Sequence, residues 1–445
     1  MLKLPQQVLA AIDILEKAGY EAYLVGGAVR DYARGKPAKD WDITTNALPQ
    51  QVEQAFTGYR IIETGLKHGT VTVLLDDEPL EITTYRIDGE YTDHRRPDSV
   101  TFTPDLKEDL SRRDFTMNAL AYHPVRGFVD LFDGLQDLHN GVICCVGDPA
   151  LRFTEDALRI LRALRFASVL QMEIETNTAA ALYCKKELLR TVAAERIREE
   201  LTKLLTGPDA GRILREYSVV LLQVLPELKS MFAFMQYNPY HDKDVWNHTV
   251  AVVEASPADP ILRWAALLHD IGKPRCFTRD ETGRGHFYGH PEQSAVIADA
   301  ILRRLRFDNA SRERIITLVK AHDRPIEATR KSLKRCMNRY GVEITEQLLQ
   351  LHTADTLGQS AFAQKNLPVY RQAKEILDQL VAEKACVSVQ QLEIDGNDAV
   401  AVGFKGREVG CALEGALQQV MEERIPNERQ PLLDYLHFRF AQQTK

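Results

Sequence analysis

The chain has no C-x-x-C pair, and its seven cysteines are scattered, with only Cys144 and Cys145 adjacent. An odd, dispersed set argues against a disulfide framework and a cysteine-based zinc site. It fits a reducing compartment, which makes a cytoplasmic location the expectation. No apolar run approaches the roughly 20 residues of a membrane span, so no membrane partner is expected. The opening stretch, MLKLPQQVLAAIDILEKAG, carries Asp13 and Glu16 and has no continuous apolar centre. It reads as an amphipathic helix over residues 1–20 and not as a signal peptide. An excess of positive charge is also missing: the net charge is −7. That balance does not advertise a nucleic-acid binder, although RNA responds to local patches. Two patches are visible. One runs from Arg303 through Arg314, Lys320, Arg324 and Lys331 to Arg339, the other from Lys185 through Arg190 and Arg196 to Lys203. Each reads equally as a solvated helix face.

At 445 residues the chain is too long for one core, and several domains are expected. The most informative stretch is LVGGAVRDYARGKPAKDWDITTN (24–46). Tyr23, Leu24 and Val25 are strand formers that stop at Gly26-Gly27, and Ala28–Ala33 reads as a helix ended by Gly35. A strand that turns on glycine into a helix lets a phosphate approach backbone N–H groups, and Arg30 can add a forked donor. Asp40 and Asp42 follow. In a strand, residues two apart face the same way, so the pair can hold Mg²⁺ against substrate phosphates. An Asp-x-Asp alone is common in surface turns; the weight comes from its closeness to the glycine turn.

Downstream, VTVLLD (71–76) and LEITTYR (80–86) read as strands joined by an acidic turn, Asp77-Glu78-Pro79. Glu81 can supply a third carboxylate or be an ordinary surface residue. Residues 86–99 are polar and almost without aliphatic side chains, as expected of a lid loop or a disordered one. SRRDFTMNALAY (111–122) reads as a helix capped by Ser111. Arg112 and Arg113 would then sit at its N-terminus, where cations are disfavoured, and so would serve an anionic ligand or pair with Asp109 or Asp114. In RFTEDALRILRALRF, Thr154 reads as an N-cap, with Asp156 and Arg159 as neighbours on one helix face. They are either a surface ion pair or a reader of bases. A carboxylate accepts from the amino group of cytosine or adenine while a guanidinium donates to the ring nitrogen beside it.

His248, His269-Asp270, His290, His322 and Asp355 are all set in helical patterns. Imidazoles with carboxylates suit Mn, Fe, Ni or Zn better than an all-oxygen cage does.

GGAVRD with DWD, then RRDFTMNALAY, DLFDG, RFTEDALRILRALRF and ERIREELTKLL resemble, in that order, the bacterial class II CCA-adding enzymes and the related poly(A) polymerases. The resemblance implies an α+β fold: a polymerase-β-like nucleotidyltransferase head of mixed sheet and helices (1–138), then a helical neck (139–208), body (209–360) and tail (361–445). It implies Gly26, Gly27 and Arg30 at the triphosphate and Asp40 and Asp42 on Mg²⁺, with Glu81 as the candidate third acid. Arg112, Arg113 and Asn118 would contact the nucleotide, and Asp156 and Arg159 would template CTP or ATP, supported by Arg162 and Arg165. The implied substrate is tRNA, extended by C, C and A. Poly(A) or A-only addition is the alternative, and a phosphohydrolase whose head only binds RNA is a third reading. YRIDGEYTDHRRPDSV is similar to the flexible loop that full CCA addition requires. NPYHDKDVWNHTV, LLHDIGKP, GHPEQSA and AHD resemble an HD-superfamily phosphohydrolase module. This implies His248, His269, Asp270, His322 and Asp355 as ligands of a transition metal and activity on 2′,3′-cyclic or phosphorylated RNA ends. IDGNDAVAVGFKGREVG (394–410) resembles the tail segment that meets RNA.

Overall fold

The computed structural model describes residues 4–38, 40–62, 69–89 and 99–443. They divide into two compact units, Met1–Pro226 and Glu227–Lys445. Among them, no helix is long and apolar enough to cross a membrane.

The first unit opens with α1 (Gln6–Lys17), shorter than expected because Pro5 precedes its first turn. Then come β1 (Ala22–Val25), α2 (Gly27–Ala33), β2 (Asp42–Thr45), α3 (Pro49–Ala55), β3 (Arg60–Ile62), β4 (Thr70–Leu75) and β5 (Glu78–Thr84). A separate ribbon, β6 (Arg86–Asp88) and β7 (Val100–Phe102), precedes α4 (Leu106–Ser111), β8 (Leu120–His123) and β9 (Gly127–Asp130). The sheet order is β3-β4-β5-β2-β1-β8-β9. Only the β2–β5 contact in it is parallel. Strand β1 shows why both faces are covered. Ala22 and Leu24 enter the core under α1 and α3, while Tyr23 and Val25 enter a second core with Tyr85, Leu110 and Ala121.

Two expectations are corrected here, and a third falls largely outside the described residues. The β4–β5 turn is Asp76-Asp77, both with positive φ (50° and 64°), as a two-residue hairpin demands. The tip of the expected lid, residues 90–98, lies outside the described residues, and its flanks are the β6–β7 ribbon. Ser111 ends a helix instead of starting one. Asp105 caps α4 by accepting from Lys107 N at 2.8 Å. The apolar run that follows becomes β8, a strand paired on both sides, whose buried run has no period to separate it from a helix.

The DLFDG stretch closes this sheet. Asp130 accepts from Gly134 N and Leu135 N, both at 2.8 Å, and so starts α5 (Gly134–Asn140). A Cβ at Gly134 would collide with the Thr116 carbonyl, so only glycine fits there. Helices α6 (Pro149–Glu155), α7 (Leu158–Leu170), α8 (Thr176–Lys185), α9 (Ala194–Leu205), α10 (Ala210–Glu216) and α11 (Ser218–Leu221) complete the unit.

The second unit is helical. It contains α12 (Val245–Ala255), α13 (Pro260–Leu268), α14 (His290–Arg304), α15 (Asn309–Ala321) and α16 (Arg330–Gly358), the last interrupted at Gly341, where φ is +80°. Most of the Arg303–Arg339 patch is matched by acids: Arg303 and Arg312 by Asp299, Arg304 by Glu227, Arg314 by Glu343, and Arg330 by Glu383 and Glu423. The solvated-face reading therefore describes much of it.

Replacing Asp130 by alanine removes two short charge-assisted bonds to backbone N–H groups. It should destabilise the first unit by about 2 kcal/mol, measured by denaturant titration.

Candidate functional site

Strand β1 ends at Val25, and Gly26 follows with φ 79° and ψ −150°, a region that side chains other than glycine's avoid. A Cβ there would lie 3.3 Å from Asp42 Oδ2 and 3.9 Å from Arg113 Nη1. The glycine turn thus presses against the carboxylate. Strand register does the rest: Asp42 pairs with Val25 on one side and with Glu81 on the other. Residues in register on adjacent strands project from the same face, so Glu81 stands beside Asp42. Asp40 arrives differently from the expectation. It precedes β2 with φ +52°, so a left-handed bend, not the pleat of a strand, sets its direction. Trp41 between them is held edge-on to Tyr32. Burial and the charge of Glu81, with a smaller push from Asp40, drive the Asp42 carboxyl up to about 6 despite the pull of Arg113.

A fully buried residue, Asp109, sets the positive side. It accepts from Arg112 Nε (3.0 Å) and Nη2 (2.8 Å), Arg113 Nη2 (3.4 Å) and Thr44 Oγ1 (3.2 Å). Burial opposes its ionisation, but the two guanidinium groups overcome that and hold its carboxyl low. Arg112 and Arg113 therefore follow the C-terminus of α4, where cations are favoured, and the mismatch inferred from an N-terminal placement does not exist.

Arg30 donates to Asn118 Oδ1 at 3.0 Å, and Asn118 donates to Asp114 Oδ1 at 3.0 Å. Arg162 holds the other Asp114 oxygen at 2.7 Å, and Arg165 binds Glu200 at 2.9 Å. Arg30, Arg162 and Arg165 all surround the Phe166 ring, their guanidinium carbons 5.1, 5.4 and 3.5 Å from its centre. Burial resists ionisation of Asp114, yet Arg162 and Asn118 bring it down to about 2.

The helix expected from Phe153 is broken at Asp156. Thr154 lies inside α6, donating to Ala150 O, and is not a cap. Asp156 leaves helical geometry (φ −133°, ψ 102°) and accepts from Leu158 N, which starts α7. That break takes Asp156 off the face of Arg159. Asp156 is instead held by Arg196 through both nitrogens, at 3.2 and 2.7 Å. Arg159 binds Glu155 at 2.6 Å and the Arg112 carbonyl at 3.1 Å. Arg196 and Glu155 went unassigned, although both stand in motifs read above.

In the second unit, the imidazoles converge from helix ends. His248 lies in α12, His269 follows α13, His290 opens α14, His322 follows α15, and Asp355 is in α16. Each Nδ1 faces a backbone carbonyl: Gly358 (3.3 Å), Ala266 (2.7 Å), Phe287 (2.9 Å) and Val319 (2.7 Å), respectively. The Nε2 atoms are therefore turned inward, as in metal-binding histidines. His248 and His269 Nε2 lie 3.4 and 3.2 Å from Asp270 Oδ2, and 3.0 and 3.6 Å from Asp355 Oδ1. Neither Asp270 oxygen accepts a well-aligned hydrogen bond among the described residues, although Lys273 Nζ is 2.6 Å from Oδ2. Burial opposes protonation of His269, but Asp270 and Asp355 push it up to about 10. Such a buried nitrogen–oxygen cluster, in which Asp270 accepts no aligned hydrogen bond among the described residues, fits a transition-metal ion. His290 joins the cluster. Lys273, not singled out in the sequence, reaches it from within LLHDIGKP.

Family models match in three places: a poly A polymerase head domain over residues 22–144, a probable RNA and SrmB-binding site of polymerase A over 171–232, and an HD domain over 243–358. The CCA-adding enzyme of Lactobacillus helveticus is 42% identical over 58% of this chain, and that of Ligilactobacillus salivarius 43% over 55%. The matched part spans 66% and 62% of their own lengths, just under two thirds. That of Bacillus cytotoxicus is 33% identical over 96% of each chain. The Bacillus stearothermophilus CCA-adding enzyme in complex with CTP superimposes with a TM-score of 0.73 at 28% identity, covering 100% of this chain and 99% of that one. The Thermotoga maritima CCA-adding enzyme complexed with tRNA shares the fold, with a TM-score of 0.58 at 19% identity over 98% and 96% of the two chains. With the polymerase head and the HD module in one chain, and a relative matched almost end to end, this protein belongs to the family of CCA-adding enzymes.

Proposed function

We propose that the chain adds C, C and A to the 3′ end of tRNA from CTP and ATP without a nucleic-acid template. The observation that carries this reading is the carboxylate edge of the first sheet: Asp42 beside Glu81, against the Gly26 turn, with Arg113 adjoining. Asp40 and Asp42, with Glu81 as the third acid, would hold Mg²⁺. Two such ions would divide the chemistry, one activating the terminal ribose hydroxyl and the other neutralising charge on the departing pyrophosphate. Gly26, Gly27, Arg30 and Asn118 line up the triphosphate, and Arg112 and Arg113 the sugar or its phosphates. The remaining work is positioning and charge compensation.

Asp156 and Arg159 carry base choice, with Arg162 and Arg165 bracing them. Without nucleotide, Asp156 is held by Arg196 and Arg159 by Glu155. Reading a base then means exchanging those partners for the Watson–Crick edge of C or A, a pattern that U and G leave unpaired. The bond from Arg159 to the Arg112 carbonyl ties this pair to the site where phosphate chemistry occurs.

The head–neck–body–tail division, with RNA contacts in the tail, belongs to this same proposal, as does a cytoplasmic location. The HD module is proposed as a metal-dependent phosphohydrolase acting on 2′,3′-cyclic or phosphorylated RNA ends, with Mn, Fe, Ni or Zn on His248, His269, Asp270, His322 and Asp355. Poly(A) or A-only addition is the competing reading of the head, favoured by the polymerase description of its family model.

tRNA transcripts ending before CCA, after C and after CC, each incubated with single nucleotides, separate these readings. CTP should extend the first two and ATP only the third, by one residue; long tails from ATP alone would favour the polymerase. Asp42→Ala should abolish extension, and Asp156→Ala should retain it while admitting UTP or GTP.

Asp42 also generates a stability prediction. Its folded value, about 6, lies above its ordinary 3.8, so the fold prefers the protonated acid. The penalty is absent below pH 4 and complete above pH 6, at up to roughly 3 kcal/mol less solvent screening. In EDTA, Asp42→Asn should therefore stabilise the chain by about 1–3 kcal/mol at pH 7.5. Denaturant titration should show the gain shrinking as the pH falls toward 4.5.

A further inference from the structure

We propose that aromatic side chains around the cavity beside the histidine cluster form a stacking platform for unpaired bases. The cavity then takes the single-stranded 3′ end of an RNA, in preference to a mononucleotide or a paired end. The proposal rests on reading the HD module as a phosphohydrolase of RNA ends and names the form of substrate it engages.

The cavity, about 430 Å³, is lined by the buried Asp270, His290 and His322, and also by Tyr240, His286 and Tyr288. Tyr288 is 78% exposed, and Tyr237, Tyr240 and Phe362 are exposed as well. One aromatic ring in solvent needs no explanation, but several grouped about one cavity mark a contact surface.

The rings are disposed for stacking. Tyr288 and His286 lie with their planes 6° apart and their centres 5.3 Å apart, an offset parallel stack. His286 Nε2 donates to Asp280 Oδ2 at 2.7 Å, and its Nδ1 accepts from the Tyr288 hydroxyl at 3.3 Å, so the two rings are held as a unit. The exposed face of Tyr288 is left for a flat ligand. On another segment, Tyr240 meets Phe362 with ring centres 5.2 Å apart.

Backbone bonds fix the segments that carry these rings. Strands Thr278–Arg279 and Gly285–His286 pair as a hairpin, and Gly285 N donates to the Tyr237 carbonyl at 2.8 Å. A Cβ at Gly285 would collide with the Gln236 carbonyl, so the close approach needs glycine. Ser360 donates from its N to the Tyr240 carbonyl (2.9 Å) and from its hydroxyl to the Pro239 carbonyl (2.8 Å), which ties down the chain leading to Phe362. A surface fixed in advance loses little freedom when a ligand arrives.

Charge agrees with this occupant. The Arg279 guanidinium carbon lies 3.5 Å from the centre of the Tyr237 ring, and that of Arg284 lies 5.8 Å from Tyr240. Aromatic faces interleaved with arginines suit a single strand, whose bases stack while its phosphates meet the cations. A base inside a duplex is covered on both faces and cannot lie on such a platform. A mononucleotide offers it one base only.

Two readouts test this in the full-length chain. With Mn²⁺ added, hydrolysis of a 2′,3′-cyclic phosphate is compared on a mononucleotide, on a trinucleotide and on the paired end of a duplex. The expected kcat/KM is roughly fivefold or more higher on the trinucleotide than on either of the others. Tyr240→Ala/Tyr288→Ala should make the three roughly equal, whereas Tyr288→Trp should keep the preference. In EDTA, a trinucleotide with the same end and a 2-aminopurine base is titrated. The parent chain should quench its fluorescence by stacking, and the double alanine variant should quench it far less. Hydrolysis at equal kcat/KM on all three substrates, or a preference that survives in the double variant, overturns the platform and leaves the phosphohydrolase reading standing. Equal quenching by parent and variant overturns the platform whatever the kinetics. Quenching lost in the variant, with no hydrolysis of any substrate, supports the platform and overturns the phosphohydrolase reading instead.

Discussion

Two carboxylates forced side by side are the constraint around which the first unit is built. Parallel pairing of β2 with β5 puts Asp42 in register with Glu81, and burial denies Asp42 the water that would make ionisation easy. Left alone, the arrangement is repulsive. In the proposed reaction, a cation and a polyphosphate would relieve it. Gly26 supplies a wall without a side chain, and Asp109 fixes two guanidinium groups nearby without their charge reaching Asp42 unopposed.

Buried acids recur as organisers. Asp109 orients Arg112 and Arg113, Asp114 joins Asn118 to Arg162, and Glu200 holds Arg165. None of these acids needs to touch substrate. Each determines where a guanidinium points, and a planar fork held at both ends loses little further freedom on meeting a phosphate or base. In the second unit, Asp270 plays this part toward four imidazoles; burial opposes its ionisation, but His269 and then Lys273, at 2.6 Å, keep it ionised. In both units, the cost of burying an acid is offset by the precision it gives its cationic or metal-binding neighbours.

How far the residues alone revealed this depends on whether the signal is local. The strand–glycine–helix turn at Leu24–Ala33 and the strands around Glu81 depend on near neighbours, and they form where read, except that the hairpin turns at Asp76-Asp77. The histidines were recognisable because each stands at or near the end of a patterned helix. What escaped was set by distant partners. The stretch at residues 119–122 is a short apolar run, and such a run does not distinguish a central strand from a buried helix. The break at Asp156 has no glycine or proline to announce it; it depends on a side chain capping the next helix and on Arg196, far along the chain. The alternation of DWD fits a strand, whereas the backbone at Asp40 is left-handed.

The most direct measurement is a crystal structure with CTP and Mn²⁺, in which anomalous scattering locates the ion. The account predicts manganese within coordination distance of Asp40 and Asp42 and of the nucleotide's phosphate oxygens, with Glu81 beside it and the cytosine edge meeting Asp156 and Arg159. Manganese bound away from this pair, or CTP lying with its phosphates remote from the Gly26 turn, would contradict it.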